Sequence, residues 1–202
     1  MEILHTDKDY VICVKPVGLD SEHDVPAVLK EQLGGEIYPI HRLDQNVGGV
    51  MIYARTKFSA AALSKAVQEG SLVKEYVAIV HGTPPEAGDW SDLLWKDSAK
   101  NKVFVVKRER RGVKKARLEF CRLTEGDSAL VRIRLHTGRS HQIRVQFASR
   151  GFPLVGDRKY SENEDNCEIA LWSHRIEFSH PVTKERMVFQ KEPPEVFPWD
   201  QL

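Results

Sequence analysis

The chain has 202 residues, 41% of them hydrophobic, which is enough for the buried core of one domain. Lysine and arginine total 30 against 29 aspartates and glutamates, so the net charge of +1 does not itself indicate a nucleic-acid partner. No apolar run approaches the about 20 residues of a membrane helix, and the N-terminus lacks a secretory pattern, which favours the cytoplasm. The 3 cysteines are widely spaced and predict neither a disulfide framework nor a zinc site.

Short strands predominate in the first half of the chain. A helix is expected after Thr56, which can cap its first turn, and Gly70 is expected to end it. The remaining patterns predict a hairpin of Ile3–Thr6 and Tyr10–Lys15, a short helix at Pro26–Leu33, a buried strand at Val50–Ala54 and a strand at Leu72–His81.

The second half is again rich in strands. Ser140 is expected to cap a helix that runs to about Arg150. Strands are predicted near Leu93–Trp95, Val103–Val106, Ala116–Leu123, Leu130–His136, Glu168–Phe178 and Met187–Gln190. Because strands and helices do not alternate regularly, the prediction is an α+β fold with a mixed, mainly antiparallel sheet, in a single domain over residues 1–202.

Positive charge is concentrated in one segment. Lysine or arginine occupies seven of the eleven positions of Lys107–Arg117, whereas Ser161–Glu168 is acidic. Such clustering is typical of a surface that contacts phosphates, and Lys114 and Lys115 are candidate RNA contacts within it. The alternative is a solvated hairpin tip.

Two segments carry hydrogen-bonding and charged groups at close spacing. His41–Asp44 places one carboxylate beside one arginine in a tight turn. Thr137–Arg144, with the sequence TGRSHQIR, opens the second predicted helix with several basic and amide side chains. Together the two segments indicate an active site that handles RNA, although turn statistics alone would make Asp44 a turn cap or a surface ion pair.

Taken in order, these segments resemble the RluA family of RNA pseudouridine synthases. The resemblance rests on His41–Asp44, Lys74–Ala78 and Thr137–Arg144, supported by Lys15–Gly18 and Pro153–Asp157, and it covers nearly the whole chain. It implies isomerisation of a uridine in RNA to pseudouridine without a cofactor or a metal. It also implies the pseudouridine synthase catalytic fold, a central mixed sheet flanked by helices and loops.

The resemblance implies a role for several residues. Asp44 matches the nucleophile, which could attack the uracil ring, attack the sugar or first assist formation of a glycal; a carboxylate suits covalent catalysis of this kind. Arg144 matches the arginine that pairs with this aspartate, with Arg139 as the competing assignment, and a guanidinium favours the ionised carboxylate. Tyr76 matches the residue that stacks on the uracil, and Arg42 the one that helps to extrude the base.

Other residues of these motifs are expected to contact RNA. Arg139 precedes the predicted helix N-terminus, where a guanidinium and backbone N–H groups suit a phosphate. The further candidates are His41, His141 and Gln142. The expected partner is a tRNA anticodon arm or an rRNA stem-loop bound by a monomer.

The sequence also departs from the family pattern. After the aspartate the family commonly has Thr-Ser-Gly or Thr-Thr-Gly, whereas Val47-Gly48-Gly49 stands here. Loss of a side-chain hydrogen bond costs about 0.5–1.5 kcal/mol, which alters loop stiffness without abolishing the chemistry. Gly48 and Gly49 are expected in a turn between strands. The stretch before His41 is too short for the S4-like RNA-binding domain that many relatives carry.

Two alternative functions follow from other interpretations of the same residues. An inactive relative that acts as an RNA chaperone would fit the altered loop after Asp44. A metal-dependent hydrolase would use Asp44 with His136 and His141, but the 8 histidines do not show the spacing of a metal site, so no metal is expected.

Overall fold

The computed structural model describes residues 1–201. The chain forms two compact units, one of Met1–Glu75 with Trp172–Pro193, the other of Tyr76–Leu171 with the residues from Pro194 onward. The elements are, in chain order, β1 Glu2–Thr6, β2 Tyr10–Lys15, α1 Asp24–Leu33, β3 Tyr38–Pro39, β4 Gly48–Ala54, α2 Lys57–Glu69, β5 Val73–His81, β6 Ala87–Asp97, β7 Lys102–Val106, β8 Val113–Arg122, β9 Ser128–Leu135, α3 Gln142–Ala148, β10 Leu171–Ser179 and β11 Arg186–Gln190, followed by a 3-10 turn at Trp199–Gln201.

The first unit is built on a mixed sheet. β2 lies antiparallel between β1 and β4, β4 pairs in parallel with β10, and β11 is antiparallel to β10. Its core combines side chains of β2, β4, β10 and α2, among them Tyr10, Ile52, Leu63 and Phe178. The mixed, mainly antiparallel sheet predicted from the sequence is confirmed.

Helix α2 begins and ends where the sequence predicts. The Thr56 side chain accepts a hydrogen bond from the backbone N–H of Ser59 at 3.1 Å, and Gly70 closes the helix in the left-handed conformation. Leu63 is the apolar side chain of this helix that is fully buried, whereas Phe58 is 65% exposed. The helix therefore packs along a narrow stripe that includes Ser59 and Leu63 and leaves Phe58 at the surface.

The second unit contains an antiparallel strip in which β8 lies between β9 and β6, and β7 extends it beyond β6. Side chains of β9 alternate as predicted, with Val131 and Ile133 buried and Arg132 and Arg134 exposed. Trp90 and Phe120 pack against each other and against Phe147 of α3, at ring-centroid distances of 4.3–5.2 Å. This aromatic cluster fixes α3 in the second unit.

Two details of the sequence prediction are wrong. Gly48 and Gly49 are the first residues of β4 rather than a turn, because β10 lies so close that a Cβ on Gly49 would stand 2.3 Å from the Ser173 carbonyl oxygen. Ser140 does not cap α3: His141 is the N-cap, in the left-handed conformation and without a side-chain capping bond. The single-domain assignment stays a prediction.

No helix in residues 1–201 is long and apolar enough to cross a membrane; α2, with 13 residues, is the longest described.

Candidate active site

Asp44 lies on a loop of the first unit between β3 and β4, and its backbone is held on both sides. The Ser21 hydroxyl accepts from the Leu43 N–H at 3.2 Å and donates to the Leu43 carbonyl at 2.9 Å. The Val47 N–H donates to the Asp44 carbonyl at 3.0 Å. Leu43 and Val47 are buried, whereas Asp44 is half-buried. The loop is therefore fixed by two apolar anchors that flank an accessible carboxylate.

Lys15 fastens the same loop from β2. Its side chain is fully buried, and Nζ donates to the Pro16 carbonyl at 2.9 Å and to the Gln45 carbonyl at 3.1 Å. The Gly18 N–H also donates to the Gln45 carbonyl, at 2.8 Å. Burial lowers the pKa of Lys15 to about 8, although Asp20 and Asp44 partly oppose that shift. The Lys15–Gly18 motif thus holds the residue that follows Asp44.

His41 and Arg42 lie on this loop but face different surroundings. His41 Nε2 accepts from the Ile52 N–H at 3.3 Å, and burial, with Lys74 nearby, lowers the pKa of the ring to about 3. Arg42 is exposed, and its Nη1 lies 3.0 Å from Glu22 Oε2. The arginine assigned to base extrusion is therefore at the surface, where RNA can reach it, and the histidine is an internal, neutral ring.

In the second unit, Arg144 projects from α3 and forms a buried pair with Asp157. Nε donates to Oδ2 at 2.8 Å and Nη2 to Oδ1 at 2.7 Å. The same carboxylate accepts from the backbone N–H of Lys159 at 3.0 Å, and the guanidinium lies 5.2 Å from the centroid of the Tyr160 ring. This two-point contact fixes the plane of the guanidinium. Nothing in the motif Pro153–Asp157 predicted that role.

The segment before α3 is organised by Gln142, which is buried. Its Oε1 accepts from Thr137 Oγ1 at 2.7 Å and from the Arg139 N–H at 3.1 Å, and its Nε2 donates to the Arg117 carbonyl at 3.1 Å. His141 Nδ1 lies 2.8 Å from the Tyr160 hydroxyl. Gln142 therefore fixes the turn that precedes α3 and ties it to β8, and its contact with RNA stays a prediction.

The remaining predicted RNA contacts of the second unit lie at its surface. Arg139, Lys114 and Lys115 are exposed. Arg139 Nε donates to the Lys115 carbonyl at 2.9 Å, and Lys115 Nζ lies 3.3 Å from Glu109. Arg139 is thereby tied to the basic strand β8, next to the Lys107–Arg117 cluster, rather than to the end of α3 alone.

Tyr76 is 5% exposed and lies in β5, the first residue of the second unit. This burial fits a Tyr76 ring that packs in the core and also one that stacks on the uracil. Its role in stacking stays a prediction.

The first unit also contains a cluster that the sequence did not predict. Ligand-type atoms of Asp7, Asp9 and His180 lie within 4.8 Å of one another. His180 Nδ1 accepts from the N–H groups of Val182 and Thr183, both at 3.1 Å, so the ring proton is on Nε2, which lies 3.1 Å from Asp7 Oδ2. A metal on Nε2 would force a proton onto Nδ1, against two donors. Hydrogen bonding therefore accounts for this contact between Asp7 and His180.

Solved structures share this fold. A structure of human RNA pseudouridylate synthase domain containing 4 superposes with a TM-score of 0.81 at 24% identity, covering 98% of this chain and 90% of that one. Human RNA pseudouridylate synthase domain containing 1 gives 0.83 at 20% identity, covering 99% and 86%. The fold is that of the pseudouridine synthases.

Sequence comparison specifies the family. Residues 9–149 match the model of the RNA pseudouridylate synthase family. An uncharacterized RNA pseudouridine synthase of Aquifex aeolicus is 30% identical over 98% of this chain and 71% of its own length. The dual-specificity RNA pseudouridine synthase RluA of Escherichia coli is 31% identical over 93% and 91%. The tRNA pseudouridine synthase C of Pasteurella multocida is 27% identical over 93% and 89%.

The chain therefore belongs to the RNA pseudouridylate synthase family, among its RluA-type members. It is an isomerase that converts uridine in RNA to pseudouridine. The comparisons give no support to the inactive RNA binder.

Proposed function

We propose that Asp44 is the nucleophile of this isomerisation and that the substrate is a stem-loop of tRNA or rRNA. The observation that carries the proposal is the Asp44 loop, in which Ser21 holds the residue before the aspartate and Lys15 the residue after it. A carboxylate that attacks and then leaves needs such a fixed backbone, because a displacement of about 1 Å can cost 100-fold in rate.

The isomerisation of uridine to pseudouridine conserves every atom of the substrate. The bond between N1 of uracil and C1′ of ribose breaks, a bond between C5 and C1′ forms, C5 loses a proton and N1 gains one. No external oxidant, reductant or cofactor enters this balance. We propose that neither a metal nor a cofactor takes part, which also separates this reaction from that of a metal-dependent hydrolase.

The other site residues assist in defined ways. The family resemblance assigns to Arg144 the task of keeping the catalytic carboxylate ionised, and Asp157 fixes its guanidinium through the Nε and Nη2 edge. Tyr76 stacks on the uracil, and exposed Arg42 fills the space that the extruded base leaves. Lys114, Lys115 and Arg139 bind phosphates at the surface of the second unit, so affinity falls as salt rises.

The substrate class is suggested by the relatives. One of them is named as a tRNA pseudouridine synthase, and another as dual-specific. Proteins that recognise specific RNA sequences bind mostly to loops and unstacked ends, where extruding a base requires little free energy. We expect a uridine in a stem-loop, bound by a protein monomer in the cytoplasm.

The test is pseudouridine mapping of total RNA from cells that lack the gene, after treatment with purified protein. Wild type is compared with Asp44→Asn and, as a matched surface control, Asp127→Asn, with and without a chelator. We expect conversion of defined uridines by wild type and Asp127→Asn in both conditions, and none by Asp44→Asn. Conversion by Asp44→Asn would exclude it as the nucleophile, and loss of conversion with the chelator would exclude the metal-free mechanism.

A further inference from the structure

Tyr160 lies three positions after Asp157 in the second unit, and the roles above give it no task. Its backbone N–H donates to the Asp157 carbonyl at 3.2 Å and to Asp157 Oδ1 at 3.3 Å. The carboxylate that binds the Arg144 guanidinium therefore also shapes the turn that carries Tyr160.

The Tyr160 ring is a second contact of the same guanidinium. The central carbon of the Arg144 guanidinium lies over this ring, 5.2 Å from its centroid. A cation within about 6 Å of an aromatic centroid is attracted by the negative face of the ring. Asp157 binds the guanidinium through Nε and Nη2. Two side chains of one turn thus hold Arg144, one by hydrogen bonds and one by its ring.

The hydroxyl of Tyr160 fixes the ring in turn. It accepts from the Val103 N–H of β7 at 2.7 Å, and His141 Nδ1 lies 2.8 Å from the same oxygen. Val103 is buried in the small core against which Tyr160 packs. Because the backbone of a paired strand moves little, the ring cannot turn away from Arg144 without losing the bond to Val103.

These contacts are more specific than core packing requires. Tyr160 is half-buried, so filling the core is only part of what its side chain does. Its ring contacts Arg144 and its hydroxyl contacts His141, and both of these residues belong to the motif Thr137–Arg144. Both ends of the Tyr160 side chain therefore act on the motif that the family resemblance places at the active site.

We propose that Tyr160 is a positioning residue of the isomerisation and acts through the guanidinium of Arg144. This inference rests on the proposed function, which gives Arg144 the task of keeping the catalytic carboxylate ionised. An arginine performs that task only from a defined position, because the attraction between two charges falls with their separation. Loss of the Tyr160 ring should therefore slow conversion of the uridine and leave RNA binding nearly unchanged.

The test is single-turnover conversion of a transcript that wild type modifies, at increasing protein concentrations. The maximal rate and the half-saturating concentration are then obtained separately. Tyr160→Leu removes the ring and the hydroxyl and should lower the maximal rate about 10-fold or more, with less than about a 2-fold change in half-saturating concentration. Tyr160→Phe keeps the ring and should recover most of the lost rate. An unchanged rate for Tyr160→Leu would overturn the inference.

Phe104→Leu is the matched control, because Phe104 is a half-buried ring on β7 that lies 6.2 Å from the Trp95 ring. It should lower the urea midpoint as Tyr160→Leu does and leave the maximal rate unchanged. Equal losses of rate in the two variants would indicate a general loosening of the unit and would overturn the inference. If Tyr160→Leu does not fold, Tyr160→Met takes its place, since methionine also lacks the ring and fills irregular space readily.

A double-mutant cycle with Arg144→Lys tests whether Tyr160 acts through the arginine. Lysine keeps the charge and loses the two-point contact with Asp157. Adding Tyr160→Leu to Arg144→Lys should then lower the maximal rate by less than about 2-fold, because the two residues act as one unit. Losses that multiply would overturn the inference and leave the proposed function intact. An Arg144→Lys variant as fast as wild type would contradict the task that the proposed function gives to Arg144, and with it the inference.

Discussion

Arg144 and Asp157 meet through two parallel hydrogen bonds inside the second unit, Nε to Oδ2 at 2.8 Å and Nη2 to Oδ1 at 2.7 Å. Both side chains are buried. Asp157 also accepts from the backbone N–H of Lys159, so the carboxylate is itself held in place. Asp157, the last residue of the Pro153–Asp157 motif, therefore orients the side chain of Arg144.

Asp157→Asn should destabilise the protein by about 3 kcal/mol, because breaking a buried ion pair removes the charge that offsets desolvation of the guanidinium. Urea denaturation monitors the change, and single-turnover assays should show a lower rate of uridine conversion. Asp89→Asn is the control, since Asp89 makes the same two-point contact with Arg117 at the surface, at 2.9 and 2.8 Å. Equal losses in the two variants would contradict a special role for the buried pair.

Lys15→Met should lower the rate of conversion about 10-fold or more and leave RNA affinity nearly unchanged. The substitution removes the donor to the Gln45 carbonyl and loosens the loop that positions Asp44. Rapid-quench kinetics and binding titrations separate the two effects. An affinity loss for Lys15→Met without a change in rate would contradict the positioning role.

Gly49→Ala should cost at least about 3 kcal/mol of stability. A Cβ there would lie 2.3 Å from the oxygen and 2.6 Å from the nitrogen of Ser173, both backbone atoms, at a φ of +124°. Gly34→Ala has a positive φ of +67° but nothing within 4 Å of its Cβ, so it should cost only about 1 kcal/mol. Urea unfolding of the two variants isolates the steric contribution, and similar losses would rule it out.

Stability should fall as the pH is lowered below about 6.5, through His41. Its pKa is lowered from 6.5 to about 3 in the folded protein, mainly by burial. Below pH 6.5 the unfolded chain therefore binds a proton at His41 that the folded chain does not bind. The free energy of unfolding is unaffected above pH 6.5 and falls by about 1.4 kcal/mol per pH unit below it. Urea unfolding between pH 7.5 and about 5 measures the slope.

His41→Gln isolates this contribution, because it removes the titrating ring and keeps an amide of similar reach. We expect its free energy of unfolding to change less with pH over the same window than that of wild type. If the two slopes coincide, another group is responsible for the acid sensitivity.

The local elements of this fold could be predicted from the sequence because their signals act over a few residues. Thr56 and Gly70 bound α2 as expected, and the alternation in β9 correctly assigns buried and exposed faces. The motif that contains Asp44 was recognisable for the same reason, since its residues are contiguous. Even so, α1 begins at Asp24, two residues before the predicted start at Pro26.

The tertiary structure decided which distant groups meet. The sequence of Gly48 and Gly49 is typical of a turn. In the structure both residues pair in parallel with β10, which lies more than 120 positions later in the chain. The contacts of Arg144 with Asp157, of Lys15 with the Gln45 carbonyl and of His180 with Asp7 likewise depend on packing between separate segments. Sequence spacing fixes short-range sterics and hydrogen bonds, whereas burial and long-range pairing exist only once the chain has folded, and that is why the contact of Lys15 with the Gln45 carbonyl could not be predicted.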